Sequence, residues 1–224
     1  MSEAQFAAVE LAGRWDSGVL EPLAEINEEV VEVLTGASAA ESVAGPKVHA
    51  LRWRWEALAA PARLRLAHCP YLLLDAGFAR AELWAALPRA AVNDAPLPGE
   101  SAARLKPMPT PLIRRVLLLG WHLARANRFT ARLALGMSAE CAQLLMSCRL
   151  ADLEWFAEQR PAFVRPRWED RPELWHALMG AAAIEQTPDL ERLQRWGLQK
   201  LAAEALGSRA SGDSAPVTLE SRLR

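Results

Sequence analysis

A chain of 224 residues, 51% hydrophobic and with a formal net charge of −1, is long enough for one sizeable core or two small ones, so a soluble globular protein is expected. Three cysteines, Cys69, Cys141 and Cys148, form no CxxC pair, which argues against a disulfide framework and a structural zinc site and fits a reducing cytoplasm. The amino terminus has no basic stretch followed by an apolar one, and no run approaches the roughly 18 apolar residues of a membrane span, so neither secretion nor membrane insertion is expected.

In chain order the elements read as helices. Asp16 or Ser17 can cap a first helix from about Leu20, with Pro22 in its first turn, Leu23, Ile26, Val30 and Leu34 on one face and Gly36 as its stop. A segment from Lys47 to Ala59 carries Leu51, Trp55 and Leu58 on one stripe, and Pro61 starts the next helix. Pro70 divides that helix from YLLLDAGFARAELWAALP, and strand-like alternation is nowhere sustained. Six prolines between Pro88 and Pro111 mark a linker or crossing loop. The expected fold is therefore all-α. Two closely packed helical lobes are expected: an acidic one at 1–87, the linker at 88–111, a second lobe at 112–206, and a flexible polar tail at 207–224.

The second lobe contains a helix-turn-helix-like unit. Gly136 breaks one helical pattern, Ser138 can cap the next, and a short break at Ser147 to Arg149 opens a third, Leu150 to Gln159. A final helix from Leu190 to Leu206 offers Leu193, Trp196, Leu201 and Leu206 for packing. LLLDAGFARA from Leu72 and LLLGWHLARA from Leu117 share their leading leucines and closing Ala-Arg-Ala; composition explains such an echo as readily as duplication does.

Charge is polarised along the chain. The stretch 1–46 holds nine acids against Arg14 alone, whereas 101–135 holds Arg104, Lys106, Arg114, Arg115, Arg125, Arg128 and Arg132 without an acid. Such a basic surface meets either nucleic acid or the acidic half of the same protein. If 112–135 were one unbroken helix, Arg114, Trp121, Arg125, Arg128 and Arg132 would share a stripe about 60° wide, suited to phosphates because each guanidinium offers a planar fork of donors. Beyond the third helix, Arg160, Arg165, Arg167 and Arg171 alternate with Phe163 and Trp168, with Pro161 and Pro166 holding the chain extended. The candidate DNA-binding residues are thus Arg114, Arg125, Arg128, Arg132, Arg165 and Arg167. The helix Leu150 to Gln159 is a poor reading helix, since phosphates repel Asp152, Glu154 and Glu158. A continuous basic surface through Arg114, Arg125, Arg132 and Arg167 would favour DNA, and burial of these arginines against Glu25, Glu28 and Glu32 would favour a protein adaptor.

Trp53 and Trp55, two apart on a helix, diverge, so one of them faces a partner or the other lobe. Trp53, Trp121 and Trp168 are the candidate partner-interface residues, while Trp84, Trp155, Trp175 and Trp196 sit at core spacing from leucines. Catalysis, cofactors and metals are not expected. His68 and Cys69 are adjacent and point about 100° apart, the remaining histidines lack ligand spacing, and there is no glycine-rich phosphate loop or G-x-S-x-G elbow.

The stretch from Leu117 to Trp168 resembles the FlhD family, the D subunit of the bacterial flagellar master transcriptional activator. The resemblance rests on Leu117 to Leu119, on LALGMSAE at Leu133 to Glu140, on Leu144 and Leu145, on Ala151, Phe156, Ala157 and Glu158, and on the Arg167-Trp168 pair. It covers about fifty residues, and it places a helix break near Asn127. It implies a helical protein that dimerises or joins a hetero-oligomer with a second regulatory subunit and acts on double-stranded DNA at promoters. Val164 stands where family members carry a subunit-linking cysteine, and Pro166 replaces an apolar residue. The expected function is that of an FlhD-like transcriptional regulator, with a non-catalytic helical adaptor as the alternative.

Overall fold

Apolar side chains three and four apart bring helix α1 (Ser17–Thr35) onto the rest of the chain, burying Leu23, Ile26, Val30 and Leu34 as the spacing predicts. Each such side chain contributes roughly 1.5–3 kcal/mol by leaving water. The computed structural model describes residues 17–36, 48, 50–98, 107–185 and 188–207; the expected cap Asp16, the tail from 208 and residues 99–106 of the proline-rich stretch lie outside them. The chain continues through α2 (Arg52–Glu56), α3 (Ala60–Ala67), strand β1 (Leu74–Asp75), α4 (Ala81–Asn93) and α5 (Thr110–Ala126). Then come α6 (Arg128–Leu135), α7 (Ala139–Ser147), α8 (Leu150–Gln159), a 3₁₀ turn (Pro161–Phe163), β2 (Arg165–Pro166), α9 (Pro172–Ala183) and α10 (Pro188–Gly207). The fold is all-α apart from the small β1–β2 ribbon. Among the described residues no helix is long and apolar enough to cross a membrane.

Helix α5 lies at the centre, packed on α1 on one side and on α7 and α8 on another. It approaches the loop before α4 so closely that a Cβ on Gly120 would stand 2.6 Å from Cζ of Phe78. Phe78 stacks on Trp84, Trp84 on Phe156, and Phe156 leans on Phe163, an aromatic column joining the turn before α4 to α8 and the 3₁₀ turn. Trp55 packs on Trp175 and so fixes α2 against α9. Buried side chains from Leu23 to Leu201 form one contiguous cluster, so no gap in the core marks a boundary between the two expected lobes.

Two boundaries differ from the sequence-based ones. Helix α4 runs through Pro88 to Asn93 instead of ending at the first proline. Pro88 is exposed, and burial of Leu83, Trp84, Leu87 and Ala90 offsets the one helical bond it cannot donate. The segment 112–135 is not one helix. Asn127 has extended backbone, φ −153°, and its side-chain oxygen accepts from the Thr130 N–H at 3.0 Å, ending α5 and capping α6. The other punctuation holds: Gly136, at φ 64°, ends α6, Ser138 caps α7 by accepting from the Cys141 N–H, and α8 covers Leu150–Gln159. Of the echoing decapeptides, the first forms β1 and a turn and the second lies inside α5, so the likeness is compositional.

No alternating pattern announces the ribbon. Leu74 faces Pro166 and Asp75 faces Arg165 in antiparallel register, and the Arg167 N–H donates to the Leu73 carbonyl at 2.8 Å. That bond makes Leu73 and Arg167 a hydrogen-bonded pair, so Pro166 occupies the alternate position, where no N–H is required. Trp168 follows in the left-handed region at φ 53°, which for a bulky side chain costs on the order of 1–3 kcal/mol. It is held there by the Arg171 N–H on its carbonyl and by its ring lying against Tyr71 and Trp196.

Candidate nucleic-acid interface

The break at Asn127 dismantles the arginine stripe, and its members take different roles. Arg114 pairs with Glu158 of α8. Arg115 pairs with Glu29 at 2.7 Å and Glu25 at 3.1 Å, joining α5 to the acidic face of α1. These ion pairs are partly exposed and contribute at most about 1 kcal/mol each.

Arg125, Arg128 and Arg132 differ from these. Among the described residues none of them has a carboxylate within ion-pair distance. The Arg125 guanidinium lies 3.9 Å from the centre of the Trp121 ring and donates to the Met146 carbonyl at 3.0 Å. Arg128 reaches the same residue, with Nη2 3.8 Å from the Met146 sulfur. Two exposed cations from two different helices therefore gather on one residue at the end of α7, with the exposed Phe129 ring beside them in sequence. Like charges brought together on a solvated surface repel, and a bound phosphate would reverse the sign of that contribution. Trp121, half-buried under Arg125, serves as a stacking surface for the guanidinium.

The candidates beyond α8 belong elsewhere. Arg165 donates to the Ala162 carbonyl at 2.8 Å and pairs with Glu169 at 3.2 Å. Arg167 is only 5% exposed. Its guanidinium donates to the carbonyls of Leu72 (2.9 Å), Leu74 (2.9 Å) and Leu135 (3.0 Å), and burial lowers its pKa from the usual arginine value. Arg167 thus points inward as a structural clamp on three backbone carbonyls. Trp168 is likewise occupied, its ring enclosed by Tyr71 and Trp196. Trp53 is 60% exposed while its neighbour Trp55 is buried, the divergence that their spacing predicts. Trp196, expected in the core, is an exposed ring beside Lys200.

The continuous surface through Arg114, Arg125, Arg132 and Arg167 that would favour DNA does not form, since Arg114 is paired with Glu158 and Arg167 is buried. What remains is a compact patch at the α5–α6 junction. Comparison with protein-family models, curated proteins and solved structures finds no match. The patch therefore rests on its own geometry.

Helix α8 presents little to a groove. Asp152 is buried at its amino end, where it accepts from the Arg149 N–H at 3.0 Å and from the Arg149 guanidinium at 2.7 Å, and these bonds hold its carboxyl below the usual aspartate range. The cysteines are buried without ionised character: burial pushes the Cys69 thiol up to about 12 and those of Cys141 and Cys148 up to about 11. His68 turns away from Cys69, its Nδ1 2.7 Å from the Leu64 carbonyl. Among the described residues no three His, Cys, Asp or Glu side chains come together as metal ligands. Sequence reasoning misses Met146 as the meeting point of Arg125 and Arg128, because a methionine on an apolar stripe carries no signal of its own.

Proposed function

We propose that this chain is an FlhD-like, non-catalytic transcriptional regulator that meets the phosphate backbone of double-stranded DNA at the α5–α6 junction. The observation that carries this reading is the convergence of Arg125 and Arg128 on Met146 without a carboxylate partner. Guanidinium forks at such a spot suit phosphate oxygens and contribute position more than sequence preference. Sequence reading would then come from a second regulatory subunit or a second copy, since α8 offers mostly acids. A helical adaptor is the second reading, favoured by the exposed Trp53, Leu64 and Ile184, which suit a protein partner.

The test is fluorescence anisotropy of a labelled duplex across a salt series, with the wild-type chain, the double variant R125A/R128A, and R115A as a control whose arginine is already paired to Glu25 and Glu29. The expected result is salt-dependent binding whose log–log slope falls by about 0.9 for each phosphate that the double variant no longer neutralises, and is unchanged in R115A. No binding at low salt by the folded wild-type chain, or equal slopes for all three proteins, would refute direct DNA contact and leave the adaptor reading.

A further inference from the structure

Sulfur is almost entirely closed to solvent in this chain. Met108, Met137 and Met179 are at most 1% exposed, and Cys69, Cys141 and Cys148 are buried with them. Met146 is the exception among the described residues, half-buried at the carboxyl end of α7. Its place follows from helix geometry. Cys141, Ala142 and Leu145 take the buried face of α7, and the next residue stands about 100° round from Leu145, at the border of that face. Two cations already meet there: Nη2 of Arg128 lies 3.8 Å from the Met146 sulfur, and Arg125 donates to the Met146 carbonyl at 3.0 Å. A thioether sulfur is only a weak acceptor, so the Arg128 guanidinium stands beside an atom that makes little use of it.

We propose that Met146 is a site of oxidation by hydrogen peroxide and that Arg128 holds the resulting sulfoxide. A sulfur lone pair attacks one peroxide oxygen, the O–O bond breaks, and the other oxygen leaves as water with both protons. Sulfur loses two electrons and the peroxide gains them. An oxygen added on the Arg128 side of the sulfur comes within reach of Nη2, and there it is a full acceptor where the thioether was a weak one. Burial shields the other described methionines and the three thiols, so selectivity for Met146 comes from access alone. A sulfoxide reductase reverses the step, oxidising two thiols to a disulfide, releasing the oxygen as water and restoring the thioether. The consequence for the patch rests on the DNA reading: a guanidinium donor given to the sulfoxide is withdrawn from phosphate, so peroxide loosens the hold on DNA and reduction restores it.

The experiment treats the full chain, M146L and R128A with graded hydrogen peroxide at neutral pH and maps the products by peptide mass spectrometry. The Met146 peptide of the wild type should gain one oxygen about tenfold faster than the peptides of Met108, Met137 and Met179. Urea titration of treated and untreated proteins completes a cycle. Oxidation should lower the midpoint of R128A more than that of the wild type, because the variant has no guanidinium for the sulfoxide oxygen. M146L conserves volume without the sulfur, and its midpoint should not move on treatment. Duplex affinity of the wild type, read by anisotropy, should fall roughly threefold or more on oxidation, whereas that of M146L should be the same before and after treatment. Oxidation of Met146 no faster than that of the buried methionines, or equal midpoint losses in the wild type and R128A, overturns the proposal. So does an unchanged affinity in oxidised wild-type protein that binds DNA. If the untreated wild type binds no duplex, the DNA reading fails by itself, and the mass map and the urea cycle still decide the oxidation site.

Discussion

Replacing Arg167 by methionine keeps the length of an apolar stem and removes three donors at once. The Leu72 and Leu74 carbonyls lie on the edge of β1 turned away from β2, and the Leu135 carbonyl is the last of α6; all three depend on the Arg167 guanidinium. A buried acceptor left without a donor costs about 1–3 kcal/mol. Three of them, less the relief of no longer burying a charge and some relaxation that admits water, give about 3–5 kcal/mol, close to the cost of breaking a buried charged network. Domains of this kind have total stabilities of roughly 5–15 kcal/mol, so R167M should unfold at much lower urea concentration while folding to the same secondary structure. R167K restores the charge but not the fork, and should recover less than half of the loss. Urea titrations followed by circular dichroism at 222 nm measure both variants. A stability for R167M within about 1 kcal/mol of the wild type would show that the carbonyls rehydrate freely, and the clamp would be refuted.

Asn27 donates to the carbonyls of Ala67 (3.1 Å) and Tyr71 (3.0 Å) and accepts from the Leu73 N–H (2.9 Å) while fully buried, so N27L should cost about 2–4 kcal/mol in the same titration. The three thiols, raised to about 12, 11 and 11 by burial, should not react with a disulfide reagent at pH 8 in the native protein, and all three should react once urea unfolds it. The Asp152 carboxyl is lowered in the folded state by Arg149, so its contribution is present above the unfolded aspartate value of about 3.9 and lost as the pH falls through its lower folded value. The stability difference between wild type and D152N should therefore shrink below about pH 4, and a constant difference down to pH 2 would refute the assignment.

Much of the helical layout can be read from the chain because it is written locally. Leu23, Ile26, Val30 and Leu34 repeat at helical spacing, and Gly136, Ser138 and the residues 147–149 punctuate α6, α7 and α8. The arginines are less legible, because charge is equally at home in water, in an ion pair or in a buried clamp. Only the path of the ribbon decides that Arg167 turns inward while Arg125 remains outside. That path depends on pairing between residues more than ninety positions apart, which no local window contains. Asn27 is hidden for a similar reason: on an apolar stripe it looks like an interruption, and its partners lie about forty residues away. The break at Asn127 is a local cap, but helical periodicity continues across it, so spacing alone does not mark it.

The position of Arg167 has a consequence for how the chain is made. Its donors reach Leu72, 95 residues earlier, and Leu74, 93 residues earlier, and the ribbon has no second strand until Arg165 is in place. On a ribosome, therefore, α1 through α6 emerge with one buried edge still open and with the last carbonyl of α6 still lacking its donor. The amino-terminal portion has to wait, partly assembled and with apolar surface exposed, until the stretch after α8 has cleared the exit tunnel. A truncation ending just before Arg165 should behave as a client of chaperones, and one that ends beyond α10 should be released as a finished protein.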